Sequence, residues 1–112
     1  MTKPEVSYEE FGKMDFRVGR VDKVEMPDWS TKLLRLEVDF GEEVGKRVIF
    51  SGIRKWYGVA DLEGKQFIFL VNMAVKKMGD EQSQGMMIMA DTEEKPIIIP
   101  LQTEVPNGVV VR

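Results

Sequence analysis

The sequence contains no cysteine and no histidine. Without cysteine there is no disulfide, no thiolate nucleophile and no thiolate metal ligand, and a cytoplasmic home is the simple expectation. Without histidine the commonest general base is gone, together with Ser–His catalysis and nearly all zinc and transition-metal sites. No acids fall at the D-x-D-x-D-G spacing of a calcium loop, so neither metal nor cofactor is expected. Ser51 and Lys55 make a Ser–Lys pair on paper, but a serine and a lysine four residues apart recur by chance. Catalysis by this chain alone is not expected. No apolar run approaches the ~20 residues that cross a bilayer. The opening "MTKPEVSYEEFGK" mixes acids and bases without an apolar signal core, so neither a membrane nor secretion is expected.

What is present fits one compact domain. The 112 residues are 43% apolar and 31% charged, in the range of folded soluble chains and too few for two comfortable domains. The net charge of −3 hides a pattern. Residues 1–45 carry 7 basic and 11 acidic side chains, a net of −4; residues 46–79 carry 7 basic and 2 acidic, a net of +5; residues 80–112 carry 2 basic and 6 acidic, a net of −4. Polyanion binding follows the local field rather than the total, so a basic middle third between acidic flanks admits such a partner.

Periodicity supplies the elements. "SYEEF" fits the capping box S-x-x-E and predicts a short helix over 8–13, with Ser7 as N-cap. "FRVGRVDKVE" (16–25) reads as a strand in which Gly19 interrupts the alternation as a bulge would. "LLRLEVDF" (33–40) sets Leu34, Leu36, Val38 and Phe40 on one face. "RVIFSGI" (47–53), "QFIFLVN" (66–72, nearly all apolar and so central) and "GMMIMA" (85–90) complete five strands, with a short helix ending near Gly64. That pattern predicts an all-β fold, a closed five-stranded barrel of the OB type with its core over about 15–90. The proline-punctuated tail 91–112 carries apolar patches at Ile97–Ile99 and Val109–Val111. These must fold back over the barrel or pair with a second copy, and the second is favoured.

The landmarks "FGKMDFRVGRV", "KLLRLEVDFGE", "VIFSGIRKWY", "LEGKQFIF", the stretch Asn72–Met86 and "EVPNG" together resemble one family. It is the tRNA-binding domain found at the C-terminus of bacterial methionyl-tRNA synthetases, in synthetase beta subunits and in free-standing small tRNA-binding proteins. The resemblance covers roughly residues 8–112. It implies an OB-fold barrel that binds tRNA by shape, works as a homodimer through its C-terminal extension, and serves as a non-catalytic accessory to methionyl-tRNA synthetase or as a free-standing relative. A chaperone-like, protein-binding role is the alternative. A general single-strand binder is less attractive, because aromatic residues make up only 9% of the chain.

Carried over by position, Asn72, Lys76, Lys77 and Met78 match the family's Asn-x-x-Pro-basic-basic-Met pattern, and Ser83, Gly85 and Met86 match its Ser-x-Gly-Met. Lys32 and Leu33 match the pair opening the second strand, and Ser51 with Gly52 the Ser-Gly closing the third. Val75 replaces the usual proline, and "EMPDWSTKL" replaces the usual His-Pro-x-Ala turn. The candidate tRNA-contacting set is Lys32, Ser51, Arg54, Lys55, Asn72, Lys76, Lys77, Ser83 and Met86. The lysine pair would neutralise phosphate, or merely solubilise a hairpin. Asn72 would reach a base or form a turn, and the Ser83 hydroxyl would face RNA or sit in a plain turn. Met86 would meet an unstacked base or fill the core, whereas Met87 and Met89 fill gaps in the barrel. Trp56 and Tyr57 would offer a stacking platform or cover the barrel's open end, with Arg54 and Lys55 beside them reaching backbone phosphates.

Overall fold

A computed structural model describes residues 1–112. Its framework is a long first strand, β1 (Phe16–Glu25), which serves three neighbours. The C-terminal half of β1 pairs antiparallel with β2 (Leu34–Asp39), and its N-terminal half pairs with β4 (Gln66–Leu70). β3 (Lys46–Ser51) continues beyond β2 in full register from Leu34↔Ser51 to Asp39↔Lys46. β7 (Met86–Met87) lies beyond β4, with Ile88 N–H donating to the Ile68 carbonyl at 2.9 Å to prolong the pairing. The order β3-β2-β1-β4-β7 curls until its ends approach, where Gln84 N–H donates to the Val48 carbonyl at 2.9 Å and Val48 N–H returns a bond to Gln84 Oε1 at 3.1 Å. The result is a nearly closed five-stranded antiparallel barrel of the OB type.

Strand alternation decides what fills it. Leu34, Leu36, Val38 and Phe40 are all essentially inaccessible, as are Ile49, Phe67 and Phe69. Phe40 meets Phe69 edge-on with ring centroids 5.3 Å apart. Met87 is buried and Met89 packs against the core's edge, in line with the gap-filling expected of them.

Gly19 corrects one expectation. It pairs regularly with Phe67, and the register shift lies two residues on, between Val21 and Lys23. The glycine is needed for a different reason: a Cβ there would come within 2.6 Å of both Phe40 Cε1 and Val38 Cγ1, so β1 can cross the core this closely only without a side chain.

Three single-turn helices punctuate the barrel. α1 (Tyr8–Phe11) starts with the expected capping box, in which Ser7 Oγ accepts from Glu10 N–H and Glu10 Oε1 accepts from Ser7 N–H, both at 3.0 Å. α2 (Gly41–Val44) joins β2 to β3, and α3 (Val59–Leu62) buries Leu62 just ahead of Gly64.

The run 85–90 is not one strand. After β7 the chain leaves the barrel, and β8 (Met89–Asp91) pairs instead with β9 (Pro96–Ile98). The tail then returns over its own barrel. Leu101 N–H donates to the Gln66 carbonyl at 2.8 Å, and the Gln66 amide donates to Asn107 Oδ1 at 2.8 Å while accepting from Val105 N–H at 3.0 Å. β10 (Val110–Val111) adds to the start of β1 through Phe16↔Val111 and Arg17↔Val110. No helix is long and apolar enough to cross a membrane.

Candidate nucleic-acid interface

Two loops that leave the barrel meet at one corner. The first joins β1 to β2 (residues 26–33) and carries Trp29 and Lys32. The second joins β4 to β7 and folds into a hairpin of β5 (Lys76–Met78) and β6 (Glu81–Ser83), paired Lys76↔Ser83, Lys77↔Gln82 and Met78↔Glu81. In OB barrels these connections, with the face of the second and third strands, are where oligonucleotides bind.

The hairpin is anchored by polar bonds. Ser83 is buried, and its Oγ accepts from Phe50 N–H of β3 at 2.9 Å. Glu81 takes a two-pronged bond from Arg35 of β2, Nε to Oε2 and Nη2 to Oε1, each 2.8 Å. Arg35 Nη1 donates to Glu25 and Glu37 as well, each at 2.6 Å. Those hydrogen bonds hold the Glu81 and Glu37 carboxyls below the usual carboxylate range, against a smaller opposing effect of desolvation. Arg47 Nη1 donates to the Val71 carbonyl at 2.6 Å and the Gln84 carbonyl at 3.2 Å, clasping the two ends of the hairpin loop together.

The lysine pair therefore stands on a fixed support. Because β5 is a strand, Lys76 and Lys77 project to opposite faces of the hairpin. Both are exposed. Lys77 borders a shallow depression of about 580 Å³ together with Val48, Asp80, Glu81, Gln82 and Gln84.

The remaining candidates divide into exposed and internally engaged groups. Lys32 and Lys55 are exposed, Lys55 Nζ lying 5.6 Å from the Trp56 ring centroid, and Met86 is exposed opposite Leu70. Ser51 is buried at the end of β3. Arg54 is half-buried: its Nη1 donates to the Pro27 carbonyl at 2.9 Å and to the Ser30 carbonyl, and its own N–H bonds the Lys32 carbonyl at 3.2 Å. Asn72 reaches back to the N-terminal segment, accepting from Asp15 N–H at 2.8 Å and donating to the Lys13 carbonyl. Ser51, Arg54 and Ser83 thus lie in the framework of the corner, and Lys32, Lys55, Lys76 and Lys77 are exposed; Asn72 and Met86 lie instead toward the start of β1, Asn72 through its bonds to residues 13 and 15 and Met86 through Leu70, the partner of Phe16.

The cations follow the same division across the whole chain. Arg17, Arg20 and Arg35 all lie against carboxylates, and among the lysines only Lys23 does so. Every lysine of the basic middle third, namely Lys46, Lys55, Lys65, Lys76 and Lys77, lacks an anionic partner. One residue of this corner lay outside the sequence-based set. Trp29 packs on Phe50 with centroids 5.8 Å apart and yet stays half exposed. Its signal was the departure of "EMPDWSTKL" from the usual turn.

An OB barrel with unpaired lysines on its binding loops is a nucleic-acid-binding module in class. The particular family follows from comparison: the chain belongs to the tRNA-binding domain family, whose model, described as "Putative tRNA binding domain", matches residues 16–110. The chain is 39% identical over 106 residues to the methionine–tRNA ligase of Archaeoglobus fulgidus, a match that covers 95% of this chain and 16% of that enzyme. It is 45% identical over 86 residues to the ligase of Xanthomonas euvesicatoria, covering 76% of this chain and 12% of the enzyme. The chain thus spans only about an eighth to a sixth of the length of these ligases. Among solved structures, a MetRS-related protein from Pyrococcus horikoshii superposes with a TM-score of 0.90 at 42% identity, covering 98% of this chain and all of that one. The chaperone CsaA from Bacillus anthracis superposes with a TM-score of 0.86 at 27% identity, covering 97% and 100%.

Proposed function

We propose that this tRNA-binding domain is a non-catalytic, cytoplasmic, homodimeric accessory that holds tRNA by its shape and phosphate backbone, for methionyl-tRNA synthetase or as a free-standing relative. The observation that carries this reading is the unpaired state of every lysine in the basic middle third, within a chain of the tRNA-binding family. Unpaired lysines release counterions on meeting phosphate without first breaking an internal bond. Lys32, Lys55, Lys76 and Lys77 make the phosphate contacts in this account, Met86 lies beside the RNA, and Ser51, Arg54, Asn72 and Ser83 shape the loops that carry them.

The chain works as a single domain whose last 22 or so residues, 91–112, serve the dimer. Support comes from α1, none of whose residues is buried, with Tyr8 89% exposed. Tyr8, Phe11 and Met14 border a cleft of about 510 Å³ shared with Val110 and Val111. Apolar surface of this kind suits a second copy.

Charge reversal at the hairpin tests the tRNA assignment. The double change Lys76→Glu/Lys77→Glu weakens tRNA binding at least tenfold in 0.1 M salt. It also flattens the slope of log affinity against log salt by about 1.5, from two lost phosphate contacts at ~0.7–0.9 each. Unchanged affinity removes the hairpin from the interface. The likeness to CsaA favours a second reading, a chaperone-like protein binder. Suppression of the aggregation of an unrelated unfolded protein, undiminished by added tRNA, would support it.

A further inference from the structure

We propose that Trp29 is a stacking site for one unpaired base of the bound RNA, with Lys32 and the Lys76–Lys77 hairpin holding the phosphates on either side of it. This rests on the tRNA-binding reading above and adds to it a base-contacting subsite. Trp29 remains 54% exposed although it lies in a loop whose backbone is fixed from beneath. Arg54 holds the carbonyls of Pro27 and Ser30 on either side of the tryptophan. Ser30 Oγ accepts from the N–H groups of Lys32 and Leu33, both at 3.2 Å, which closes the rest of the turn. The ring itself has two near neighbours. Phe50 packs against it at 51°, and Gly79 at the hairpin tip faces its six-membered part, with room between them for less than a side chain. A Cβ at Gly79 would stand 3.0 Å from Cζ2, and the residue's φ of +62° independently favours glycine.

A large aromatic surface that is half open and already immobilised loses little entropy when a base stacks on it. The lysines supply the second half of the argument. Lys32 lies three residues along the same loop, and Lys77 two residues before the glycine that faces the ring; neither has a carboxylate partner. Asp28 and Asp80 adjoin Trp29 and Gly79 in sequence, and negative charge there disfavours phosphate at the ring itself, which suits a neutral base there and phosphates one step away. The other tryptophan is less suited, since Lys55 already lies over the face of Trp56.

The chain has two tryptophans, so Trp56→Phe leaves Trp29 as the sole indole reporter. Bulk tRNA, a blunt RNA duplex and a short oligouridylate are titrated into this variant, with affinity measured in parallel by anisotropy. Stacking predicts quenching of Trp29 by tRNA and by the oligouridylate but not by the duplex. Trp29→Ala should weaken tRNA binding about tenfold without changing its salt dependence, and Trp29→Phe should restore most of the loss. Circular dichroism and thermal melting establish that each variant is folded. If folded Trp29→Ala binds tRNA like the parent, or if saturating tRNA leaves Trp29 emission unchanged, the subsite is overturned while tRNA binding stands. Quenching by a basic peptide and not by tRNA would assign the acid-flanked ring to a cationic protein segment instead. Absence of tRNA binding in the parent protein overturns both readings together.

Discussion

Replacing Arg35 by glutamine tests how the lysine hairpin is supported. The substitution keeps most of the side-chain volume but removes the cation to which Glu25, Glu37 and Glu81 all bond. The arginine side chain is 19% exposed and the three carboxylates are 41–43% exposed, so solvent screens each pair substantially. Exposed pairs contribute at most about 1 kcal/mol each, the two-pronged Glu81 bond being the strongest; together with the repulsion of three uncompensated carboxylates, a loss of about 2 kcal/mol is expected at pH 7. The pH dependence is the sharper test. Because Arg35 holds Glu37 and Glu81 below their unfolded pKa, their contribution is complete above the usual carboxylate range. It fades as pH falls through the lower, folded values. Urea unfolding of both proteins at pH 7, 5 and 3.5 should therefore show the largest gap at pH 7 and 5, and a narrower one at 3.5. A gap of equal size at all three would mean that lost packing, and not lost ion pairing, accounts for the effect.

Two further substitutions separate barrel from appendage. Gly19→Ala must displace both Phe40 and Val38, each 2.6 Å from the new Cβ, and should cost about 1–3 kcal/mol in urea unfolding with the m-value unchanged. Asn72→Ala removes both bonds to the segment ahead of β1, so amide exchange at Asp15 should quicken while the melting temperature moves by only a degree or two.

Most of the barrel was legible because strand alternation reports burial directly. Leu34, Leu36, Val38 and Phe40 could share one face only if that face was the core, and the nearly all-apolar "QFIFLVN" fits a strand flanked on both sides. Where the expectation failed, the missing information was the identity of the pairing partner. "GMMIMA" is one continuous apolar run, yet its strand changes partner at Ile88, from β4 to the returning tail, and nothing local marks the switch. A hairpin was one reading of residues 76–83, but its two short strands were not foreseen, for a related reason. Its support comes from Arg35 and Phe50, more than 30 residues away in sequence, and its own residues are too polar to alternate.

The candidate site shows the same limit at the level of single side chains. The motif spacing pointed to the loop between β4 and β7, and the lysines within it are exposed. Spacing could not reveal that Ser83, Asn72 and Arg54 hold backbone groups 33, 57–59 and 24–27 residues distant, because a polar side chain's partner is chosen by the tertiary fold. Trp29 was marked only by the atypical turn that carries it. Only the approach of Gly79, fifty residues later, gives its ring a place beside the lysines.

The most direct test of the account is fluorescence anisotropy of the purified protein with labelled bulk tRNA, titrated from 0.05 to 0.3 M salt beside single-stranded DNA of matched length. The account predicts tRNA binding that exceeds DNA binding at every salt concentration and falls steeply as salt rises, with a slope that the Lys76→Glu/Lys77→Glu pair reduces. Binding that is indifferent to salt, or equal for tRNA and DNA, would contradict a phosphate-reading, tRNA-shaped interface at this corner of the barrel.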